Sequence, residues 1–366
     1  MGHGGDVYAA ARDLKCGVHD LIDFSASINP LGPSPAALRI FANAVELFQH
    51  YPDPACGELC HALADHWQRP PEEFLVGNGS TELIHLLPEA LRIRHLLVVG
   101  PTFSEYATAM RRSGGRVSMI MAERSEAYRP PLERVMAAMS GFERTVMGRR
   151  AIDAVLLCNP NSPTGSASDA EAVMKVARLA TRRGLWCIVD ETFAEYCADS
   201  SILLQRLPAR AIVLRSFTKF YGLPGLRVGY AVAHKGTIER VRERQPPWSV
   251  NMLAQRAALA ALGDVRHAAR SLRFMDGERS KFFKTLARLP GMTLFPSMAN
   301  FVLMELPAGQ KAAAMEAALR LQGMLIRDCS DVPGLNDRSV RVAVRTRSDN
   351  ERLVRALKAV LCRVAS

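Results

Sequence analysis

The sequence predicts an α/β fold, with a large domain built on parallel strands and a smaller α+β domain beyond it. Three observations lead to this prediction. The chain has 366 residues, which at roughly 100–200 residues per domain allows two or three compact units. Its middle alternates short aliphatic runs with amphipathic helical patterns. Beyond about residue 250 the pattern changes to a long helical stretch followed by isolated strand candidates.

The middle of the chain has the alternation that is typical of parallel strands joined by crossover helices. Four aliphatic runs bounded by turn residues are predicted to be buried parallel strands. They are Leu96–Val99, Ala154–Leu157, Trp186–Val189 and Ala211–Leu214. The ranges Glu105–Arg112 and Asp169–Arg183 carry apolar residues at three- and four-residue spacing. That spacing predicts the crossover helices.

The last third of the chain predicts the smaller α+β domain. An Ala-, Arg- and Leu-rich stretch over Met252–Leu289 predicts one long helix that links two domains. Further strands are predicted at Met292–Phe295, Ala299–Met304 and Val340–Val344, with helices between them. We expect an N-terminal segment over 1–45 that packs with the small domain, a large domain over 46–250, and the interdomain helix and small domain over 251–366.

Composition narrows the class of protein. Hydrophobic residues make up 48% and charged residues 23%, as in ordinary globular proteins rather than disordered chains. No apolar stretch reaches the roughly 18 residues of a membrane span, and the N-terminus lacks the pattern of a secretory signal. The eight cysteines show no dense spacing, which predicts reduced thiols and a cytoplasmic protein with no membrane partner.

The net charge of +11 leaves nucleic acid, a membrane surface or anionic small molecules open as partners. The arginines are scattered without interleaved aromatic residues or a nucleic-acid motif, so we expect no nucleic-acid partner. Cys56, Cys60, His61 and His66 form a local cluster, but their spacing matches no common zinc site. We therefore expect no metal.

Two charged residues follow neighbouring predicted strands. Asp190 comes directly after the strand ending at Val189, and Lys219 follows Leu214 in a segment that runs into a glycine-rich turn. Ligands of open parallel sheets bind at the carboxyl ends of the strands, so the two side chains are expected to face one ligand. A carboxylate opposite an imine-forming lysine is the pair that a pyridoxal phosphate site requires. The alternatives are a surface lysine and a helix-capping aspartate.

A third segment has the features of a phosphate-binding turn. Gly77 and Gly79 are followed by Ser80, Thr81 and an apolar helical run. Free backbone N–H groups at such a helix start bind phosphate, although a capping box without ligand explains the pattern almost as well. Arg227, in Gly-Leu-Arg-Val-Gly, can add guanidinium donors to the same phosphate.

These segments, with Ser-x-Thr-Lys at 216–219 and Asn-Pro-x-x-Pro-Thr-Gly at 159–165, resemble the fold-type I pyridoxal-phosphate aminotransferase family over nearly the whole chain. The resemblance implies a mostly parallel seven-stranded sheet, with Lys219 bonded to the cofactor and Asp190 paired with its ring nitrogen. It places Phe103 on the cofactor ring. The groups that it places around the cofactor phosphate are Gly79, Ser80, Thr81, Ser216, Thr218 and Arg227.

The same resemblance implies a homodimer with shared sites, because Tyr51 matches a tyrosine that reaches the phosphate of the neighbouring subunit's cofactor. Two positions depart from the family pattern. Ser162 stands where an asparagine usually bonds the cofactor's phenolic oxygen, so that contact falls to Ser162, to Asn161 or to water. Phe193 stands where many members have a tyrosine that bonds the same oxygen. Fewer donors there weaken a transaminase interpretation.

Further motifs are similar to one branch of the family, whose members decarboxylate O-phospho-L-threonine in cobalamin biosynthesis. They include His-Gly-Gly-Asp at 3–6, Ser-Ile-Asn-Pro-Leu-Gly at 27–32 and Leu-Ile-Arg-Asp-Cys at 325–329. This resemblance implies a phosphorylated amino-acid substrate. It matches Arg345 to the family's carboxylate-binding arginine. The candidate substrate-binding residues are His3, Gly4, Asn29, Arg327 and Arg345.

Two alternative functions follow from the same segments. The histidinol-phosphate aminotransferases are the sister branch and share the core motifs. A DNA-binding regulator with an aminotransferase-like domain is a different class, but it needs a helix-turn-helix module ahead of Tyr51. The residues before Tyr51 are already taken by the motif around Asn29, so we expect an enzyme.

Overall fold

The computed structural model describes residues 4–42, 44–45, 49–141 and 152–364. Its main feature is a seven-stranded sheet with the strand order β2-β8-β7-β6-β5-β3-β4. Its strands are β2 (Phe74–Gly77), β3 (His95–Gly100), β4 (Arg116–Met121), β5 (Ala154–Cys158), β6 (Trp186–Asp190), β7 (Ala211–Ser216) and β8 (Gly229–Ala233). Only β8 runs antiparallel to its neighbours. The predicted α/β class with a mostly parallel seven-stranded sheet is confirmed.

Helices cover both faces of this sheet, as crossover connections require. Strands β3, β5, β6 and β7 are buried along their whole length, which explains why they are aliphatic on both faces. The helices are α3 (Gly57–Trp67), α4 (Gly79–Ala90), α5 (Glu105–Arg112), α6 (Leu132–Gly141), α7 (Ala170–Arg182) and α8 (Lys235–Arg242). One apolar core lies on each face.

A further core lies around a four-stranded antiparallel sheet near the C-terminus, with the order β12-β13-β10-β9. Its strands are β9 (Thr293–Leu294), β10 (Phe301–Glu305), β12 (Arg327–Asp328) and β13 (Ser339–Ala343). A separate pair joins β1 (Ile22–Asp23) in parallel to β11 (Met324–Leu325). The remaining helices are α1 (Val7–Leu14), α2 (Pro35–Ala42), α9 (Met252–Gly263), α10 (Val265–Leu286), α11 (Ala312–Arg320) and α12 (Arg347–Val364).

The long helix predicted over Met252–Leu289 is wrong, because the structure has two helices there. Asp264 ends α9 and begins α10, and its carboxylate accepts a hydrogen bond from the backbone N–H of His267. An aspartate at this position caps the free N–H groups of a new helix start, which favours a break over a continuous helix. Among the described residues, no helix is both long and apolar enough to cross a bilayer.

Candidate active site

A cavity of about 690 Å³ lies at the carboxyl ends of β5, β6 and β7. The alternation of side chains along each strand points Asp190 and Ser216 into it, at the ends of β6 and β7. Residues after β12 and within β13 close it from the side of the small sheet. The cavity therefore lies where ligands bind in open parallel sheets.

The Asp190 carboxylate is buried, and both of its oxygens accept hydrogen bonds. The Tyr106 hydroxyl donates to Oδ2 over 2.8 Å, and the Thr192 backbone N–H donates to Oδ1 over 2.9 Å. Burial raises the pKa of Asp190, while the bonds from Thr192 and Tyr106 and the charge of Lys219 lower it. The donors fix the direction of a carboxylate at the floor of the cavity.

Lys219 follows β7 and is partly exposed within the cavity. Its ammonium makes no hydrogen bond or ion pair with the residues that the structure describes, and it lies 5.9 Å from the centre of the Phe193 ring. Burial, with the charges of Arg341 and Arg227, lowers the pKa of Lys219 from 10.5 to about 8. A lysine in this state has a substantial neutral fraction near neutral pH and can act as a nucleophile.

A cluster of positive charge and hydroxyl groups lies at the start of α4. The backbone turns through Gly79 at φ +72°, and a Cβ there would lie 2.5 Å from Nη2 of Arg227. The guanidinium therefore packs against the N-terminus of α4, which carries the positive end of the helix dipole. Two positive groups in contact favour an anion between them. The side chains of Ser80, Thr81, Ser216 and Thr218 line the same cavity.

The two neighbours in the Asn-Pro-Asn-Ser-Pro turn have different environments. Asn161 is buried, and its amide bonds the Thr102 hydroxyl, the Pro101 carbonyl and the Thr164 hydroxyl. Its polar atoms are thus used within the protein. Ser162 lines the cavity. Of the two side chains that the sequence left open, the structure places Ser162 in the cavity.

Arg341, which the sequence analysis did not select, crosses the cavity wall from β13. Its Nη1 donates to the Ser162 hydroxyl and its Nη2 to the Ser25 carbonyl, each over 2.9 Å. Its buried Nε has no hydrogen-bond partner among the described residues. Arg327 lies opposite Arg341 in the strand register and pairs with Asp331 over 2.7 Å. Both guanidiniums line the cavity.

The remaining predicted residues divide into those inside and those outside the cavity. Gly4 and Phe103 line it. Arg345 lies beyond β13, where it bonds Asp349 and the Asp23 carbonyl, so the structure brings Arg341 to the cavity and not Arg345. The amide of Asn29 is used by the Phe220 carbonyl and the Ser271 hydroxyl.

Tyr51 does not line the cavity of this chain. Tyr51 is 78% exposed and stacks on Trp248 with ring centres 4.9 Å apart. His3 lies outside the described residues.

Arg341 was missed because an alternating strand contains polar residues on one face whether that face meets solvent or a polar cavity.

Comparison with known proteins agrees with this geometry. The family model for aminotransferase class I and II matches residues 19–357. A threonine-phosphate decarboxylase from Salmonella typhimurium is 33% identical, covering 99% of this chain and 97% of that protein. A histidinol-phosphate aminotransferase from Symbiobacterium thermophilum is 34% identical, covering 98% and 95%.

A solved structure shows the same fold. The histidinol-phosphate aminotransferase from Sinorhizobium meliloti in complex with pyridoxal-5'-phosphate superimposes with a TM-score of 0.85 at 23% identity, covering 100% of this chain and 95% of that one. The chain therefore belongs to the aminotransferase class I and II family, has the fold-type I architecture that its motifs predict, and uses pyridoxal phosphate as its cofactor.

Proposed function

We propose that this enzyme decarboxylates O-phospho-L-threonine to (R)-1-amino-2-propanol phosphate and carbon dioxide, in cobalamin biosynthesis. The observation that carries the proposal is the pair of guanidiniums, Arg327 and Arg341, that line the cavity in addition to Arg227. A phosphorylated amino acid brings a phosphate and a carboxylate, so it needs two cationic positions besides the one for the cofactor phosphate. Histidinol phosphate itself brings only the phosphate, and an aminotransferase would use the second position for the carboxylates of its keto-acid cosubstrate.

The residues present fit pyridoxal phosphate. Lys219 is a cavity lysine with a lowered pKa, Asp190 is a buried carboxylate held by two donors, and Arg227 lies against the N-terminus of α4. When bound, the cofactor supplies an aldehyde that takes an amine and a ring that withdraws electrons from an α-carbon bond standing perpendicular to it. Ser80, Thr81, Ser216, Thr218 and Arg227 would hold its phosphate.

The chain's own groups would then perform three tasks. Asp190 would hold a proton on the ring nitrogen through its charge. Arg341 would fix the substrate carboxylate, and thereby select the bond to carbon dioxide for cleavage. Lys219 would donate a proton from Nζ to the α-carbon after carbon dioxide leaves. A pKa of about 8 suits this last task, because a proton donor works best when its pKa lies near the working pH.

The alternative is a histidinol-phosphate aminotransferase or a related aminotransferase, since such relatives are as similar as the decarboxylases. One position favours the decarboxylase. Phe193 lies beside Lys219 and has no hydroxyl, so the phenolic oxygen of a bound cofactor would have one side-chain donor fewer than in many family members. Ser162, which lines the cavity, would be the remaining candidate donor. Arg341 donates to the Ser162 oxygen, which leaves the Ser162 hydroxyl proton free for such a bond.

The substrate test uses three phosphorylated compounds, each with and without 2-oxoglutarate. We expect carbon dioxide from O-phospho-L-threonine without a keto acid, slower release from O-phosphoserine, and no glutamate from histidinol phosphate. Glutamate formed from histidinol phosphate, without carbon dioxide from phosphothreonine, would assign the protein to the aminotransferases. The Lys219→Ala variant serves as the control for non-enzymatic release.

We further propose a homodimer with shared sites, in which Tyr51 reaches the cofactor phosphate of the other subunit. Its exposure and its stacking on Trp248, itself 48% exposed, support this role. We also propose the division into segment 1–45, large domain 46–250 and interdomain helix with small domain 251–366. The separate cores around the two sheets support two domains, while the buried face of α9 belongs to the core of the large sheet, so this helix packs with the large domain.

A further inference from the structure

A buried ion cluster lies on the face of the large sheet opposite to the cavity. Arg215 in β7 is 2% exposed, and its Nη2 lies 2.9 Å from Glu191 Oε2, a carboxylate with no exposure. Its Nη1 lies 3.1 Å from Glu195 Oε1. The guanidinium also stacks on the Trp67 ring at 4.7 Å. No residue of this cluster lines the cavity.

The cluster is placed directly behind the groups of the active site. Asp190 and Ser216 line the cavity, and each has a cluster residue beside it in the chain. Glu191 follows Asp190, and Arg215 precedes Ser216. In the parallel register Asp190 pairs with Leu214, and the Glu191 N–H donates to the Leu214 carbonyl over 2.8 Å. The ion pair therefore joins the ends of β6 and β7 at the level where the cavity begins.

The joint is fixed further by the Ser201 hydroxyl. This hydroxyl donates to Glu191 Oε2 over 2.7 Å and accepts from Arg215 Nη2 over 2.8 Å. The other oxygen of Glu191 accepts from the Ile202 N–H over 2.8 Å. Glu191 and Arg215 are thus held from three directions, and neither strand end can move sideways without breaking a charged hydrogen bond.

The cluster is a poor device for stability alone. Glu195 Oε2 and Arg215 Nε are buried and have no hydrogen-bond partner among the described residues. Buried ion pairs often contribute no more stability than apolar residues of the same volume, and unpaired buried polar atoms subtract from it. A role in holding the two strand ends in place would explain why this loss of stability is retained.

We propose that Arg215 and Glu191 are positioning residues that fix the end of β7 against the end of β6, and thereby set the position of Lys219 and Ser216 relative to Asp190. They touch neither cofactor nor substrate. The proposal concerns binding of the cofactor, so it holds whether the substrate is phosphothreonine or histidinol phosphate.

The test measures cofactor binding and the state of Lys219 in Arg215→Lys and in Ser201→Ala. The dissociation constant of pyridoxal phosphate is obtained by equilibrium dialysis. The pH midpoint of Lys219 labelling with an amine-specific reagent is obtained on the apoprotein by mass spectrometry. We expect binding about 10- to 100-fold weaker in Arg215→Lys, as for the outer partners of metal ligands. In Ser201→Ala we expect about 2- to 10-fold, as for one lost hydrogen bond. The midpoint should move towards that of an ordinary lysine as water reaches Lys219.

The control variant is Glu305→Gln. Glu305 is a buried glutamate in β10 that pairs with Arg124, away from the cavity, and the substitution removes its charge. It should lose stability while cofactor binding and the Lys219 midpoint stay unchanged. A triple variant, Glu191→Gln and Glu195→Gln with Arg215→Met, removes the charges of all three paired groups together and leaves none of them unpaired.

The proposal is overturned if the triple variant folds and binds cofactor as the wild type does. It is equally overturned if Ser201→Ala and Arg215→Lys change only the denaturation midpoint, as Glu305→Gln does. If the triple variant does not fold, Ser201→Ala decides. It keeps the charges of Arg215 and Glu191 and removes only the hydroxyl that bridges them.

Discussion

Arg341 and Arg345 lie four residues apart in the sequence, and their different hydrogen-bond partners indicate different roles. Arg341 donates to a cavity serine and keeps its buried Nε without a partner among the described residues. Arg345 has a carboxylate partner of its own in Asp349. Arg341 lines the cavity with a donor that is unused within the protein, so it is available for an anionic ligand, whereas Arg345 does not line the cavity.

This difference gives a prediction for two matched variants. Arg341→Gln should raise KM for the phosphorylated amino acid by about 10- to 100-fold, the loss expected for hydrogen bonds to a charged group. Arg345→Gln should leave KM within about twofold, since its bonds tie down the chain around Asp23. Steady-state kinetics on both variants checks this. A larger effect on KM from Arg345→Gln would return the carboxylate-binding role to the residue that the motif suggested.

Lys219 predicts a stability effect with a defined sign. Its pKa is lowered from 10.5 to about 8 in the folded apoprotein, so below pH 8 the folded state holds a poorly solvated charge. Between pH 8 and 10.5 the unfolded chain binds the extra proton, and folded stability therefore rises with pH. Lys219→Met should thus stabilise the apoprotein at pH 7 by up to about 3 kcal/mol.

Urea denaturation of the wild-type apoprotein and of Lys219→Met, at pH 7 and at pH 10.5, checks this prediction. The stability difference between the two proteins should shrink as pH rises, because the wild type loses the charge. Other groups that titrate in this range are common to both proteins and cancel in the comparison. An equal difference at both pH values would mean that the Lys219 pKa is not lowered.

Residues at the ends of strands were the ones that sequence reasoning could find. Asp190 and Lys219 follow from the rule that ligands meet the carboxyl ends of parallel strands, and Ser216 and Thr218 follow from the family resemblance. The structure brings all four into one cavity. Arg341 and the cluster around Arg215 could not be found in this way. Their positions depend on contacts between strands that are distant in sequence, which no local pattern records.

At the scale of secondary structure, the buried parallel strands were predictable because they are short and aliphatic. The predicted strand over Trp186–Val189 differs from β6 by one residue, and the predicted helix over Glu105–Arg112 has the bounds of α5. Strand β4 was not predicted. It lies at the edge of the sheet and contains partly exposed positions, so it lacks the continuous apolar run that marks a central strand.

The break between α9 and α10 leads to a prediction about helix capping. Asp264→Ala should lower the free energy of unfolding by about 1 kcal/mol, because the first N–H groups of α10 lose their acceptor. Chemical denaturation measures the change. Asp276→Ala, at an exposed position within α10, is the control and should change stability by less than about 0.5 kcal/mol. Equal losses from the two variants would show that the cap is not the cause.

At the scale of the whole molecule, the proposed homodimer predicts complementation between two inactive variants. Lys219→Ala removes the lysine of a site, and Tyr51→Ala removes the residue that the same subunit would lend to its partner's site. A mixed dimer then has one site with both defects and one site with neither. Refolding an equal mixture should restore activity to about a quarter of the wild-type value, because half of the dimers are mixed.

The controls for this experiment are the two variants refolded separately. Each should remain nearly inactive at every protein concentration. If the mixture is no more active than its parts, Tyr51 serves its own subunit or no site at all. Analytical ultracentrifugation of the same samples reports whether dimers form in each case.

The bond between Arg341 and the Ser25 carbonyl joins residues separated by 316 positions, and it has a consequence for biosynthesis. A ribosome makes the chain from its N-terminus, and large domains begin to fold during synthesis. The strands that carry Asp190 and Lys219 can pair while later residues are still being added. The wall that contains Arg341 cannot form until β13 has been translated and has met the segment around Ser25. A nascent chain therefore acquires the lysine of its site well before it acquires the complete pocket for a substrate.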